Sequence, residues 1–322
     1  MTQELSPRLR LRMMAALGVA LALGTGAASA QTEIKFGHVG EPGSLFAASA
    51  EEFAKRANAK LGNKAKVVVF GSSQLGGDKE LLQKLKLGTV DIALPSTVMT
   101  SEADLFGVFE MPYLVKDRNH MKRIEKELFW SKLEPEAEKK GLKVIAVWEN
   151  GYRHITNSKR PINTPEDLKG IKLRVPEGKW RVKMFQTYGA NPSPMKFSEV
   201  FAALQTGVMD GQENPFTQIY SAKFQEVQKF ISLTGHVYTP AYVTVGAKKW
   251  GRLPTPCVAS IAMTDAMDSA TAIGTLISTS TRTQTSTRKP IMRFPPHGLL
   301  RRALRAAPRE TRAAGRSRSG RH

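Results

Sequence analysis

The sequence predicts an α/β fold built as two lobes, and three observations predict it. Between Ile34 and Leu94 the apolar periods alternate as strand, helix, strand, helix, strand. After Glu149-Asn150-Gly151 the alternation begins afresh. The phrase Leu85-Lys-Leu-Gly88-Thr-Val-Asp91 is echoed by Leu204-Gln-Thr-Gly207-Val-Met-Asp210, 119 residues further on. The β-α-β-α-β order predicts a parallel sheet with helices on both faces. The echo points to one helix-to-strand turn used in each lobe, although Leu, Gly and Asp are common enough to recur by chance.

Each element follows from local chemistry. Ile34, Phe36 and His38 alternate with polar or small residues as a first strand. Ser44 can cap a helix that runs to Leu61, and Gly62 can end it. Lys66 to Phe70 is a β-branched second strand. Asp78 reads as the cap of a helix carrying Leu81, Leu82, Leu85 and Leu87 that stops at Gly88, and Asp91-Ile-Ala-Leu is the third strand. A long amphipathic helix over about 118–140 precedes a strand at Leu142–Trp148. Arg153–Thr156 is the next strand. Thr164-Pro165 opens a short helix, with Pro at its first position. Lys172–Val175 is a strand closed by Pro176. Helices are expected at 178–188, from Ser198 to Gly207 and at about 216–229, then strands at 230–234 and 237–247.

The ends of the chain have other compositions. Arg8, Arg10 and Arg12, a short apolar run, and Ala28-Ser29-Ala30 follow the order of a secretory signal peptide, so residues 1–30 are expected to be cleaved after Ala30. The run is shorter than the ~20 apolar residues that span a bilayer. No later segment is long and apolar enough to do so, and the expected product is soluble, exported and periplasmic rather than membrane-spanning. One cysteine, Cys257, excludes an intrachain disulfide. Net charge is +20, but half of that excess lies in residues 251–322, which carry thirteen Lys and Arg against three Asp and Glu. Basic balance alone therefore does not point to nucleic acid. Beyond Gly251 the chain turns rich in Arg, Ser and Thr and loses its apolar period, and this atypical basic tail is expected to be disordered.

Enzyme signatures are missing from the sequence: there is no GxSxG, no HExxH and no cysteine pair. The six histidines are scattered without metal-ligand spacing, so neither metal nor cofactor is expected. Gly71-Ser-Ser-Gln-Leu-Gly76-Gly77 precedes a helix and could cradle an anion, but it lacks the Lys-Ser/Thr of a phosphate loop, and a tight turn explains it as well. Arg174 lies near the carboxyl end of its strand, where open α/β sheets bind ligands. A guanidinium there fits a carboxylate with two parallel hydrogen bonds, though an ordinary surface arginine has the same pattern. Arg153 begins a strand after Glu149-Asn150-Gly151 and is open to the same two readings. Asn214, in Gln212-Glu213-Asn214-Pro215, could offer an amide or simply form the turn after the strand. Phe197 could pack on a ligand or join the core.

The phrases PEDLKGIKLRVPEGKW, GANPSPMKFSEVFAALQTGVMDGQENP and QKFISLTGHVYTPAYV resemble the solute receptors of TRAP transporters, over about residues 33–250. That resemblance implies a periplasmic-binding-protein-like fold of two α/β lobes joined by crossing strands and a long hinge helix. It places the first lobe at 31–150 plus about 235–250 and the second at 151–234. It also implies capture of a small organic acid and delivery to the membrane subunits of a permease, with no nucleic-acid partner. A receptor of the same shape serving a signalling partner reads the same in sequence. Arg174 matches the family arginine that pairs with the ligand carboxylate, Arg153 a second ligand-facing arginine, Asn214 a ligand-contacting asparagine and Phe197 the aromatic beside the ligand. Glu41, Ser72, Gln74 and Trp148 are implied to line the first-lobe side. After Trp250 the family's continuation, a long amphipathic helix, does not follow Leu253-Pro254. A change of reading frame near Gly251 would explain this, and a chain so truncated could lack function.

Overall fold

The computed structural model describes residues 31–251 and the backbone of residues 291–293. The first lobe opens with β1 (Thr32–Gly37), α1 (Leu45–Leu61), β2 (Ala65–Phe70), α2 (Asp78–Leu87) and β3 (Ile92–Ala93). Ser44 caps α1 as expected, its Oγ accepting from the Ala47 amide, and Gly62 ends it. At α2 the expectation is corrected. Gly77 occupies the cap position, held by Glu80, whose Oε2 accepts from the Gly77 amide at 2.8 Å, and Asp78 is the first helical residue. β1 pairs parallel with β3 as the alternation predicts, but β3 then pairs antiparallel with β9 (Tyr238–Gly246), so the sheet is mixed.

Short helical turns at Thr97–Ser101 and Asp104–Glu110 lead to α3 (Arg118–Ile124). This helix widens into a π-helical stretch, Glu125–Leu133, before α4 (Glu134–Glu138). The helix expected over about 118–140 is therefore present from 118 to 138, with a π-helical middle. The two strands expected at 142–148 and 153–156 are one, β4 (Leu142–Asn157). Its first part pairs with β9 and its last residues with β7 (Gly211–Pro215) and β8 (Phe230–Ser232). Asn150 and Gly151 do not break it; the register slips there instead, between Glu149 and Gly151. β4 is thus the strand that crosses from one lobe to the other.

The second lobe contains β5 (Lys172–Val175), α5 (Lys179–Thr187), β6 (Asn191–Pro194), α6 (Val200–Gln205), β7 (Gly211–Pro215), α7 (Phe216–Ser221) and β8 (Phe230–Ser232). The sheet order is β2-β1-β3-β9-β4-β7-β5-β6. β6, with two prolines, is not marked by any strand signal; it sits at the sheet end, where a missing N–H is tolerated. The Gln-Glu-Asn-Pro segment, read as following a strand, is itself β7, buried at every position between β4 and β5. The helix expected over 216–229 is α7 plus a separate turn at Phe224–Glu226. Ile291–Arg293, inside the segment expected to be disordered, forms β10, antiparallel to β8.

Buried apolar residues divide accordingly. One cluster gathers Phe36, Phe53, Leu82, Phe106, Phe129 and Tyr242 with their neighbours. A second lies under α5 with Ile155, Leu173 and Phe185, and a third under α6 and α7 with Val200, Leu204 and Phe224. The second-lobe sheet is therefore covered on both faces. No helix among the described residues contributes to the cores of both lobes, so the hinge helix implied by the resemblance is not found among them. None is long and apolar enough to cross a membrane.

β7 approaches β4 closely at Gly211, where an added Cβ would lie 2.3 Å from the Thr156 carbonyl oxygen. Gly211→Ala is expected to cost about 1–3 kcal/mol of stability through overpacking, read as a lower urea midpoint with an unchanged slope.

Candidate functional site

Strand register divides the polar residues of β5 and β7 between two faces. Arg174 lies beside Gln212, and Gln212 beside Thr156 of β4. Side chains paired in register share a face, and successive residues alternate. Arg174, Gln212 and Asn214 thus project to the side of α6 and α7. Leu173, Val175, Glu213 and Arg153 project to the side of α5.

On the first face, Arg174 is 3% exposed. Its Nε and Nη2 both donate to the Met195 carbonyl, at 3.0 and 2.6 Å, and its guanidinium carbon stands 6.0 Å from the centre of the Phe197 ring. Among the described residues it has no carboxylate partner within ion-pair distance. Burial, and then the charge of Arg153, pull the guanidinium down to about 10. Phe197 packs against the first-lobe core and the α6–α7 core at once, and so marks the seam between the lobes. Asn214 Nδ2 donates to Gln212 Oε1 at 2.6 Å, Gln212 Nε2 to Thr156 Oγ1 at 2.9 Å, and Thr156 Oγ1 to Gln228 Oε1 at 3.1 Å. A chain of amides inside a fully buried strand is costly to maintain unless its partners are satisfied, and here it holds Asn214 in place.

The first lobe meets this seam at the start of α2. Lys196, between Met195 and Phe197, reaches across to Glu80 Oε1 at 2.5 Å, and Gly77 faces the Lys196 chain. Asp78 sits between these contacts. Its Oδ1 is buried without a hydrogen-bond partner. Burial pushes its carboxyl up to about 7, against the opposing pull of Arg174. Sequence reasoning took Asp78 for a helix cap and missed it; its place directly after Gly76-Gly77 was the available signal.

On the second face the Arg153 side chain is committed to Glu213. Nε donates to Oε2 at 2.5 Å and Nη2 to Oε1 at 2.8 Å and to the Glu213 carbonyl at 2.6 Å. Arg181 of α5 adds a bond to Glu213 Oε2 at 2.6 Å and one to Glu110 Oε2 at 2.7 Å, and His236 Nε2 lies 3.1 Å from Glu213 Oε2. Burial alone would raise the Glu213 carboxyl; Arg153 and Arg181 hold it well below the usual carboxylate range. Arg181, Glu110 and His236 carried no signal in the sequence.

The remaining expected residues make contacts of their own in the first lobe. Ser72 Oγ donates to Glu41 Oε2 at 2.7 Å in the turn after β2, where Ser72 and Ser73 both take left-handed φ values of 50° and 59°. Gln74 is exposed. Trp148 packs against Phe36 and Phe53, at 6.3 and 5.9 Å between ring centres.

Arg174 is thus a buried arginine without a carboxylate partner among the described residues, beside a ring that packs on both cores. Residues 36–288 match the family described as bacterial extracellular solute-binding protein, family 7, and the chain belongs to that family. The match runs beyond Trp250, where the similarity of phrases ended. The 2,3-diketo-L-gulonate-binding periplasmic protein of Escherichia coli is 34% identical over 72% of this chain and 71% of its own. The C4-dicarboxylate-binding periplasmic protein of Rhodobacter capsulatus is 34% identical over 78% and 75%. A TRAP periplasmic solute-binding protein from Roseobacter denitrificans, solved with bound L-galactonate, superposes with a TM-score of 0.74 at 32% identity, covering 78% of this chain and 84% of that one.

The Asp78 carboxyl ordinarily titrates near 3.8 and is raised in the fold. The unfolded chain ionises it first, so its burial costs stability progressively between about pH 4 and pH 7 and in full above that. Asp78→Asn is therefore expected to melt with wild type near pH 4 and to be more stable at pH 8, by about 2 kcal/mol or more. Identical melting temperatures at both pH values would refute the buried charge.

Proposed function

We propose that this protein is a periplasmic receptor that binds a small organic acid by its carboxylate on Arg174 and delivers it to the membrane subunits of a TRAP permease. The observation that carries this reading is the Arg174 guanidinium, buried at the seam and without a carboxylate partner among the described residues. Removing a charge from water costs several kcal/mol unless it is paired. A ligand carboxylate supplies the opposite charge and displaces part of the donation to Met195. Asn214 adds an amide and Phe197 a ring face, while Asp78 offers an acceptor from the other lobe. Arg153 adds positive potential from behind the sheet, and Glu41, Ser72, Gln74 and Trp148 shape the first-lobe wall more remotely. Relatives that take a diketo sugar acid, C4-dicarboxylates and L-galactonate share one feature, a carboxylate, and that is the class assigned here.

The mature chain is assigned to begin at Gln31, with the first lobe at 31–150 plus about 235–250 and the second at 151–234. Acid capture would draw the lobes together around the ligand, and the permease would recognise that form. Charge-assisted hydrogen bonds contribute about 1.5–3 kcal/mol each. Arg174→Ala is accordingly expected to weaken binding about 100-fold or more while the fold is retained, measured by calorimetry with the acid that mass spectrometry identifies in purified protein. Unchanged affinity in a folded variant would overturn the assignment.

A further inference from the structure

Arg181 is fully buried on α5, yet it makes its bonds to residues of other elements. Nε donates to Glu110 Oε2 and Nη1 to Glu213 Oε2. Glu110 ends the turn Asp104–Glu110, whose Phe106 and Phe109 belong to the first-lobe core. Glu213 lies on β7 of the second lobe. A single guanidinium therefore ties the first lobe to the strand that carries Gln212 and Asn214. Two further contacts join α5 to the same first-lobe turn: Trp180 Nε1 donates to Asp104 Oδ1 at 2.8 Å, and Lys179 Nζ lies 2.8 Å from that oxygen. These are exposed and weak by nature, whereas Arg181 and its two partners are at most 4% exposed.

The bonds at Glu213 give this tie a consequence for the ligand side. Glu213 Oε2 is shared by Arg153 Nε, Arg181 Nη1 and His236 Nε2. Those three hold the carboxylate in one orientation, and the carboxylate in turn holds the Arg153 fork. Arg153 is the charge that bears most on Arg174. Glu213 also stands between Gln212 and Asn214, so its anchorage below the sheet fixes the height at which both amides stand above it. Counted as ionised, Glu110, Arg181, Glu213 and Arg153 balance two charges of each sign, and Arg181 opposes the rise that burial imposes on the Glu110 carboxyl. A neutral, buried set that spans both lobes can hold one arrangement closely without competing for the ligand anion.

We propose that Arg181 is a positioning residue that couples the contact between the lobes to the ligand-binding face: it holds the first lobe through Glu110 and sets Arg153 and β7 through Glu213, without touching the ligand. The coupling is reciprocal. Whatever favours the seated β7 and Arg153 favours the made Glu110–Arg181 bond, and the bond favours them. The inference rests on the carboxylate-receptor reading for its effect on affinity, but its effect on the lobes can be measured without any ligand.

The test uses full-length mature protein carrying Lys64→Cys and Lys169→Cys in a Cys257→Ser background, spin-labelled at these exposed positions, one in each lobe. Pulsed dipolar spectroscopy without added acid is expected to show a longer and broader interlobe distance in Arg181→Met than in the parent. Glu110→Gln should lengthen it less, since Arg181 keeps Glu213, and Arg181→Lys should recover part of the parent distribution. With D-galactonate and succinate as probes, Arg181→Met is expected to bind about 10-fold more weakly, mainly through faster release. A merely structural residue would lower the melting temperature and leave both the distance and the release rate of the folded fraction at parent values; that result would overturn the proposal. Should Arg181→Met fail to fold, Glu110→Gln decides by the same distance measurement. Arg174→Ala separates the two ideas, because it should abolish probe binding with the parent interlobe distance intact. If the parent binds neither probe, the distance measurement alone supports or sinks the role of Arg181.

Discussion

A buried positive charge with no carboxylate partner among the described residues is the constraint on which the rest of this structure depends. Arg174 has been taken out of water, given one backbone carbonyl as acceptor, and set near a second guanidinium. Such a site is unfavourable on its own, and no part of the fold benefits from it locally. It persists because the surrounding sheet is pinned by stronger interactions: the Met195 carbonyl is fixed by β6 pairing with β5, and the Phe197 ring by two cores at once. Among the described residues no carboxylate answers that charge, so the guanidinium is held by one backbone carbonyl and one ring face.

The scaffold solves a geometric problem around that charge. The two lobes must be distinct bodies, yet their facing surfaces have to return to the same arrangement. β4 answers the first requirement by belonging to both lobes, with its register slipping at Glu149–Gly151 where it passes from one to the other. Glu213 answers the second. Placed on the reverse face of β7, it converts two arginines and a histidine into supports for the strand, on the side away from Arg174.

Much of this was legible in the sequence, and the failures have physical causes. Ser44, Gly62 and Gly88 were read correctly because capping is a local matter of side-chain reach and backbone handedness. The face on which Arg174 stands was legible because its neighbours Leu173 and Val175 fix it by alternation. Gln212-Glu213-Asn214-Pro215 was misread because strand reading looks for apolar alternation, and a central strand whose buried positions are polar violates that rule. Asn191-Pro-Ser-Pro194 was missed because proline argues against a strand except at an edge, and edge position is a property of the tertiary fold. The Glu110–Arg181–Glu213 chain joins residues 71 and 32 positions apart, and no local pattern announces such a meeting.

Asp78 shows how the same logic extends to the other lobe. A carboxyl with one oxygen buried and unpartnered lowers stability, and the same position as asparagine would keep the shape without the charge. Helix geometry does not require it, since Gly77 and Glu80 complete the cap between them. What distinguishes the position is its neighbourhood: Glu80 is joined to Lys196, and Lys196 stands between Met195, which holds Arg174, and Phe197, which faces it. An acid in that place opposes a guanidinium across the seam, and its proton is held loosely enough to be given up near neutrality. The first lobe thereby contributes an acceptor where the second contributes a donor, each buried and each drawn toward the other by charge.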